Sequence, residues 1–203
     1  MAALQSIDTA AFRFINGTLQ NPFFDWFMPL LAGGTWFIVL VLLMAAVLAW
    51  KGGVRGRICV VMLAISVGVC DGFASNPIKR TVKRLRPCAA LEDVHKLVGC
   101  GKSGSMPSSH ASNCTAATMV LWLFYRRSLR FALPVMLLVG FSRVYLGPHY
   151  PGDVLIGMVI GAGTAVAVVF GLNWLWQGAG AQWFPNWFAR LPNLVVHAAS
   201  ATP

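Results

Sequence analysis

Residues 142–153 read SRVYLGPHYPGD, and this stretch lies between two strongly apolar segments. Its two glycines and two prolines predict the end of one helix, a short turn and the start of a second helix. His149 and Asp153 are four positions apart. If the second helix begins near Pro148 or Pro151, Asp153 lies about one turn from His149 and can orient its ring.

A histidine that is oriented by a carboxylate, with an arginine nearby, is typical of a nucleophile or base that acts on an anion. Arg143 supplies that arginine in the same stretch. The alternative interpretation is a polar helix–helix turn at a membrane surface. This stretch alone does not distinguish a catalytic histidine from a polar turn, so the other segments of the sequence are needed.

The composition indicates a polytopic membrane protein. Of the 203 residues, 57% are hydrophobic and 11% are charged, whereas roughly a quarter of residues are charged in soluble domains. The net charge of +10 comes from 16 Lys and Arg against 6 Asp and Glu, an excess that usually marks cytoplasmic loops and contacts with lipid headgroups. No internal repeat or linker divides the sequence, so we expect one domain, residues 1–203.

Hydropathy predicts an all-α fold, a membrane bundle of five transmembrane helices preceded by a short amphipathic helix at residues 7–19. The predicted spans are residues 26–50, 58–78, 108–125, 131–146 and 154–176. In the fifth span, Gly157 and Gly161, with Gly163, allow a close helix contact. The aromatic tail from residue 177 is expected to lie along the membrane interface.

Asp71 is an acid inside the second predicted span, where charge is costly. Asp71, Ser75 and Lys79 recur every four residues and share a helix face. A functional role and a pairing inside the bundle are both open at this stage.

Counting spans places several polar residues at one membrane face, because the ends of spans two and four and the starts of spans three and five meet there. Three of the four histidines fall on that side, the exception being His197. The candidate site at this face comprises Lys79, Arg86, Ser108, His110, Arg143, His149 and Asp153.

This set of side chains suits a phosphate. Three cations and a helix N-terminus bind a dianion, and two histidines permit one nucleophile and one general acid. A rival interpretation is a metal site formed by His110, His149 and Asp153. The three cations argue against it, because a cationic pocket repels a divalent ion.

Three motifs in this order resemble the tripartite signature of the type 2 phosphatidic acid phosphatase superfamily, the lipid phosphate phosphatases. In this chain they are Lys79-x6-Arg86-Pro87, Pro107-Ser108-Ser109-His110 and Ser142-Arg143-x5-His149-x3-Asp153. The chain departs from the family at Ser109, where glycine is usual, but serine is small and keeps its backbone N–H. A second expected difference is the absence of a further N-terminal span, which some members have.

The resemblance implies a role for each matching residue. His149 would attack phosphorus and form a phospho-histidine, Asp153 would orient His149, and His110 would protonate the leaving oxygen and then activate water. No metal or other cofactor would be required. The phosphoryl oxygens would be held by Lys79, Arg86, Ser108, Arg143 and the backbone N–H groups near Ser109.

The expected partner is a phosphorylated membrane lipid, since the site lies at headgroup level. Undecaprenyl diphosphate, phosphatidylglycerol phosphate, phosphatidate and lipid A phosphate are all compatible with the sequence. A phosphatase for a soluble phosphate ester is an alternative. A transporter or lipid-binding protein without catalysis is another, but it would not explain two histidines and an aspartate at one face.

The five cysteines divide into two groups. Cys59, Cys70 and Cys114 lie within or beside predicted spans and suit packing. Cys88 and Cys100 are twelve positions apart in the candidate site loop. If that loop faces an oxidising compartment, they are expected to form a disulfide.

The short basic loops predict the orientation of the chain in a bacterial inner membrane. Residues 51–57 and 126–130 together hold six Lys and Arg, and short basic loops stay in the cytoplasm. We therefore expect a periplasmic N-terminus and site and a cytoplasmic C-terminus. A reporter fused to the C-terminus should be active only if it works in the cytoplasm. Activity of a periplasm-specific reporter there would contradict the prediction.

Overall fold

A computed structural model describes residues 2–32 and 35–195, and these residues form helices and loops with no β-strand. Short π or 3-10 turns extend or join several helices, at Phe14–Thr18, Met28–Leu31, Cys70–Ser75 and Arg126–Ser128. The α-helices of this part of the chain are α1 Ala2–Arg13, α2 Pro22–Phe27, α3 Thr35–Lys51, α4 Gly53–Val69, α5 Asn76–Val82, α6 Pro87–Ala90, α7 Ser109–Phe124, α8 Leu129–Tyr145, α9 Pro151–Trp183 and α10 Pro185–Arg190.

Within the described residues, three helical segments are long and apolar enough to cross a membrane: Gly53–Ala90, Arg126–Tyr145 and Pro151–Trp183. A fourth span results if Pro22–Leu31 and Trp36–Lys51 are taken together, although these two helices are bent by 53° relative to each other. The predicted all-α membrane bundle is confirmed. The first predicted span is a bent pair of helices rather than one straight helix.

Helix α7, the third predicted span, is shorter than expected. Its 16 residues extend about 24 Å at 1.5 Å per residue, which is less than the roughly 30 Å hydrocarbon core of a bilayer. The number of five spans therefore stays a prediction. His197, together with residues 196–203 of the aromatic tail, lies outside the described residues.

Helix α7 is the centre of the bundle and packs against α4, α8 and α9. Its closest neighbour is α9, and the close approach depends on two glycines. A Cβ atom on Gly161 would lie 2.1 Å from the backbone oxygen of Ser112, and one on Gly157 would lie 2.7 Å from the backbone oxygen of Ser108. The predicted glycine contact is therefore present at these two positions. Gly163 has nothing within 4 Å of such a Cβ atom and takes no part.

The N-terminal amphipathic helix starts earlier than predicted and is anchored to the bundle. Phe12 is buried, and its ring packs edge-on against Tyr150 with 5.6 Å between centroids. The Asn16 side chain is also buried and donates to the carbonyl oxygens of His95 and Tyr145, at 2.9 and 2.7 Å. These contacts hold the N-terminal segment against the end of α8 and the start of α9.

The segment between α5 and α7 is mostly irregular, and the predicted disulfide joins Cys88 to Cys100 within it.

Asp71 lies in the π turn Cys70–Ser75, through which α4 continues into α5. Within residues 2–32 and 35–195, Asp71 has no ion pair and no side-chain hydrogen bond. The pairing inside the bundle that the sequence left open is therefore not observed there.

Substitution of the α9 glycines tests the close contact with α7. Gly161→Ala should destabilise the folded protein by about 1–3 kcal/mol, because the added methyl group meets backbone that cannot rotate away. Gly163→Ala is the matched control and should be neutral or stabilising by up to about 1 kcal/mol, since alanine favours a helix over glycine. Unfolding of both variants in detergent micelles measures the difference. Equal stabilities would contradict the packing described.

Candidate active site

The candidate site lies at one end of the bundle, where α5 and α8 end and α7 and α9 begin. The structure brings the sequence-predicted residues together there. Lys79 Nζ donates to Ser109 Oγ at 2.6 Å, which joins the end of α5 to the start of α7. Arg86 Nη1 lies 3.4 Å from His149 Nε2, which joins the irregular segment to the turn before α9.

His149 is held in one tautomer by a backbone carbonyl. Its side chain is buried, and Nδ1 lies 2.8 Å from the carbonyl oxygen of Ser105. Because a carbonyl oxygen only accepts hydrogen bonds, Nδ1 carries the proton. The lone pair is then on Nε2, the atom that faces Arg86. His149 thus presents an unprotonated nitrogen toward a cation.

Asp153 does not bond His149 directly in the way that the spacing predicted. The nearest approach of its carboxylate to His149 Nδ1 is 3.8 Å. The reason is that α9 begins at Pro151, so His149 precedes the helix and the four-residue helical geometry does not apply. Asp153 Oδ2 instead accepts from the hydroxyl of Ser105 and from the backbone N–H of Tyr150. It therefore orients His149 through Ser105.

Three buried cations lie at the site without a carboxylate partner among the described residues, and one of them, Arg86, approaches His149 Nε2. Lys79, Arg86 and Arg143 are 8%, 9% and 7% exposed, and among the described residues none of them forms an ion pair. Arg86 is bonded to the carbonyl and hydroxyl oxygens of Ser103, both at 3.0 Å. The Nε atom of Arg143 is buried with no partner. Since buried charge is costly unless it is paired, this region favours an anion.

His110 lies at the start of α7 and is exposed to the site. The helix is capped by Ser108, whose hydroxyl accepts from the backbone N–H of Ala111. His110 Nε2 lies 3.1 Å from the carbonyl oxygen of Ala32, so this nitrogen carries a proton. Arg143 Nη1 donates to the same carbonyl at 3.5 Å. One oxygen atom therefore already lies between a proton donor and a cation.

Sequence reasoning did not identify Ser105, Arg84 and Asp8. Arg84 Nη1 donates to Asp153 Oδ1 and Arg84 Nη2 donates to Asp8 Oδ2, both at 2.7 Å. Arg84 was hidden in a run of basic residues, and Asp8 lies far away in the amphipathic helix. Residues 79–86 contain more Lys and Arg residues than the motif uses, and only this surplus could have drawn attention to Arg84.

Burial and the neighbouring charges together set the protonation state of His149. Burial is the largest of the causes that lower the pKa of His149 from 6.5 to about 4; the cations Arg143 and Arg86 act in the same direction, and Asp153 opposes them. His149 is therefore uncharged at neutral pH. No group of three or more His, Cys, Asp or Glu side chains in residues 2–32 and 35–195 could hold a metal ion, so the rival metal site does not assemble.

Comparison with known proteins gives a consistent result. The model of the PAP2 superfamily matches residues 55–177 of this chain. A lipid A 4'-phosphatase of Bacteroides thetaiotaomicron is 30% identical over 166 residues, which cover 78% of this chain and 73% of that protein. A decaprenylphosphoryl-5-phosphoribose phosphatase of Mycobacterium tuberculosis is 39% identical over 94 residues, covering 45% of this chain and 49% of that protein.

A solved structure shows the same fold. The transmembrane PAP2 type phosphatidylglycerolphosphate phosphatase of Bacillus subtilis superposes with a TM-score of 0.65 at 22% identity. The superposition covers 86% of this chain and 88% of that one. The overall helical fold is therefore found in another protein.

The pKa of His149 can be tested by NMR of histidine-labelled protein in a nonionic detergent. The His149 ring signals, assigned by their loss in His149→Gln, should titrate near pH 4. The unfolded chain binds this proton below about pH 6.5 and the folded chain does not. Folding stability should therefore fall as the pH drops from about 6.5 toward 4. A midpoint above pH 6 would contradict the burial and charge described.

Proposed function

This chain belongs to the PAP2 superfamily, and we propose that it hydrolyses a lipid phosphate or diphosphate through a phospho-histidine intermediate without a metal ion. The observation that carries the proposal is the group of three buried cations around an uncharged histidine. Their positive charge has no carboxylate partner in the described residues, so a phosphate would supply the missing negative charge. The same cations would stabilise the charge that develops on the phosphoryl oxygens in the transition state.

In the first step, His149 Nε2 attacks phosphorus and the bond to the leaving oxygen breaks. The hydrogen bond from Nδ1 to the Ser105 carbonyl keeps the lone pair on Nε2. As the ring becomes positively charged, the nearby carboxylate of Asp153 stabilises it. In the second step, water attacks the phospho-histidine, which releases phosphate and restores the lone pair of Nε2.

His110 is suited to the proton transfers. Its Nε2 donates to the carbonyl oxygen of Ala32, which Arg143 also contacts. We propose that the leaving oxygen of the substrate binds where the Ala32 carbonyl oxygen now lies, between His110 and Arg143. It receives the proton of His110, and the leaving group departs as an alcohol or as a phosphate. His110 then accepts a proton from the attacking water.

The remaining phosphate contacts would come from the N-terminus of α7. Ser108 caps this helix, and its first backbone N–H groups point toward an anion bound at its end. Ser109 is where this chain departs from the usual glycine. Its hydroxyl holds Lys79, at 2.6 Å, so the replacement adds a partner for a phosphate-binding cation.

A lipid substrate follows from the position of the site at one end of apolar helices. The relatives are named for phosphorylated lipids with different headgroups, which leaves the headgroup open among undecaprenyl diphosphate, phosphatidylglycerol phosphate, phosphatidate and lipid A phosphate. We propose that residues 1–203 act as one membrane domain with the site on the periplasmic face, where a disulfide between Cys88 and Cys100 is stable.

The experiment that tests this function is phosphate release by the purified protein from a panel of these four lipids. A water-soluble alkyl phosphate is included, and each reaction is run with and without EDTA. Release from at least one lipid that EDTA does not diminish is expected. Release from the soluble ester alone would favour a soluble substrate, and loss of activity with EDTA would overturn metal independence.

Substitution of the two histidines separates their roles. His149→Ala should abolish turnover and the phospho-enzyme. His110→Ala should slow attack by about 100-fold or more for an alkyl phosphate, but much less for a nitrophenyl phosphate, whose leaving group needs no proton. Rapid quench into alkali, which preserves phospho-histidine, measures the intermediate. A phospho-enzyme in His149→Ala, or the same loss for both esters in His110→Ala, would show that the roles are assigned wrongly.

A further inference from the structure

Arg84 links the catalytic centre to the N-terminal helix. Its guanidinium lies between two carboxylates and bonds each of them at 2.7 Å, Asp153 through Nη1 and Asp8 through Nη2. The same guanidinium stacks 4.0 Å from the ring centroid of Tyr150. Asp153 is fully buried, whereas the side chains of Arg84 and Asp8 are each 15% exposed. A planar fork of donors suits such a bridge, which a lysine could not make.

Asp8 has a second contact that reaches the start of α9. Its Oδ1 accepts from the backbone N–H of Gly152 at 2.7 Å. A Cβ atom at position 152 would lie 2.9 Å from Asp8 Oδ2, so a larger residue there would push the Asp8 carboxylate away from this position. The carboxylate of α1 therefore occupies the first turn of the helix that carries Asp153.

Arg84 also supports the group that orients the nucleophile. The backbone carbonyl of Arg84 accepts from the backbone N–H of Ser105 at 2.8 Å. Ser105 in turn accepts from His149 Nδ1 through its carbonyl and donates to Asp153 through its hydroxyl. The main chain of Arg84 thus holds Ser105, which bonds the imidazole, and its side chain holds Asp153, which bonds the Ser105 hydroxyl.

We propose that Asp8 is a positioning residue for His149, acting through Arg84, and that helix α1 thereby completes the catalytic centre. The inference deepens the proposed function and rests on it. If Asp8 loses its charge, Arg84 has one carboxylate partner in place of two and is free to rotate toward solvent. Asp153 then loses its contact at Oδ1, and Ser105 and His149 lose their fixed geometry.

Asp8→Asn tests this proposal, because the variant keeps the shape of the side chain and removes its charge. The expected result is a decrease in kcat of roughly 10- to 100-fold with KM within about twofold of the wild type, since a small displacement of a catalytic group affects the reaction more than substrate binding. Asp8→Glu keeps the charge and should recover part of the loss. Glu92→Gln, an exposed acid in the segment after α6, is the matched control and should stay within twofold of the wild type.

A double-mutant cycle shows whether Asp8 acts through Arg84. In the Arg84→Gln background, Asp8→Asn should change kcat by less than about threefold, because the bridge is already lost. Arg84→Lys provides the same background if Arg84→Gln does not fold. Effects of Asp8→Asn that multiply in full with those of Arg84 would overturn the proposal. So would a kcat of folded Asp8→Asn within twofold of the wild type.

A readout without substrate separates this proposal from the proposed function. The Nδ1 proton of His149 bonds the Ser105 carbonyl and should give an NMR signal that is absent in His149→Gln. That signal should persist in the wild type and in Glu92→Gln, and exchange with water faster in Asp8→Asn. If the wild type releases phosphate from no lipid but this signal changes as expected, the function is wrong and the positioning by Asp8 stands. An unchanged signal in Asp8→Asn overturns the positioning itself.

Discussion

Helices α7 and α9 approach each other so closely that the backbone N–H of Ser108 donates to the backbone carbonyl of Asp153 at 3.0 Å. This contact joins the two halves of the site, the phosphate-binding end of α7 and the carboxylate of α9. It is available because Gly157 and Gly161 present no side chain toward α7. Small residues that let helix backbones meet are a common means of packing in membranes, where no hydrophobic driving force brings the helices together. Here the same contact also sets the position of the catalytic groups.

The electrostatics of the site depend on that packing. Lys79, Arg86 and Arg143 are buried by the converging helix ends, and His149 is buried with them. Burial keeps the imidazole uncharged, while the cations remain charged and need an anion. The two effects are compatible with the proposed function, in which an uncharged histidine would be the nucleophile and the uncompensated cations would bind the phosphate that it attacks.

Hydrogen bonds from several elements fix the geometry of the irregular segment between α5 and α7 at the candidate site. Ser105 receives a hydrogen bond from His149, donates one to Asp153 and is itself bonded to the backbone of Arg84. The disulfide between Cys88 and Cys100 shortens the free length of the same segment. The N-terminal helix contributes Asp8, which accepts a hydrogen bond from the Arg84 side chain. The first helix therefore contacts the candidate site through Asp8, which also bonds the backbone N–H of Gly152.

Local features of the sequence predicted the membrane character, the all-α class and the residues of the candidate site, which the fold brings together. Hydropathy is a local property, and the spacing within each motif keeps its residues on neighbouring turns of the chain. Alternation of the loops across the membrane was then enough to bring the three motifs to one face. The disulfide followed from the same reasoning, since both cysteines fall in the loop at that face.

The hydrogen bonds that position the residues of the candidate site became visible only in the folded structure. Four-residue spacing suggested a direct bond between His149 and Asp153, but α9 begins after His149, and the carbonyl of Ser105 takes that role. The bond from Gly152 to Asp8 joins residues 144 positions apart, and the bond from Arg84 to Asp8 joins residues 76 positions apart. No periodicity or motif spans such separations. These contacts arise because packing of the helices brings distant ends of the chain together, and that packing depends on the shape of the whole bundle.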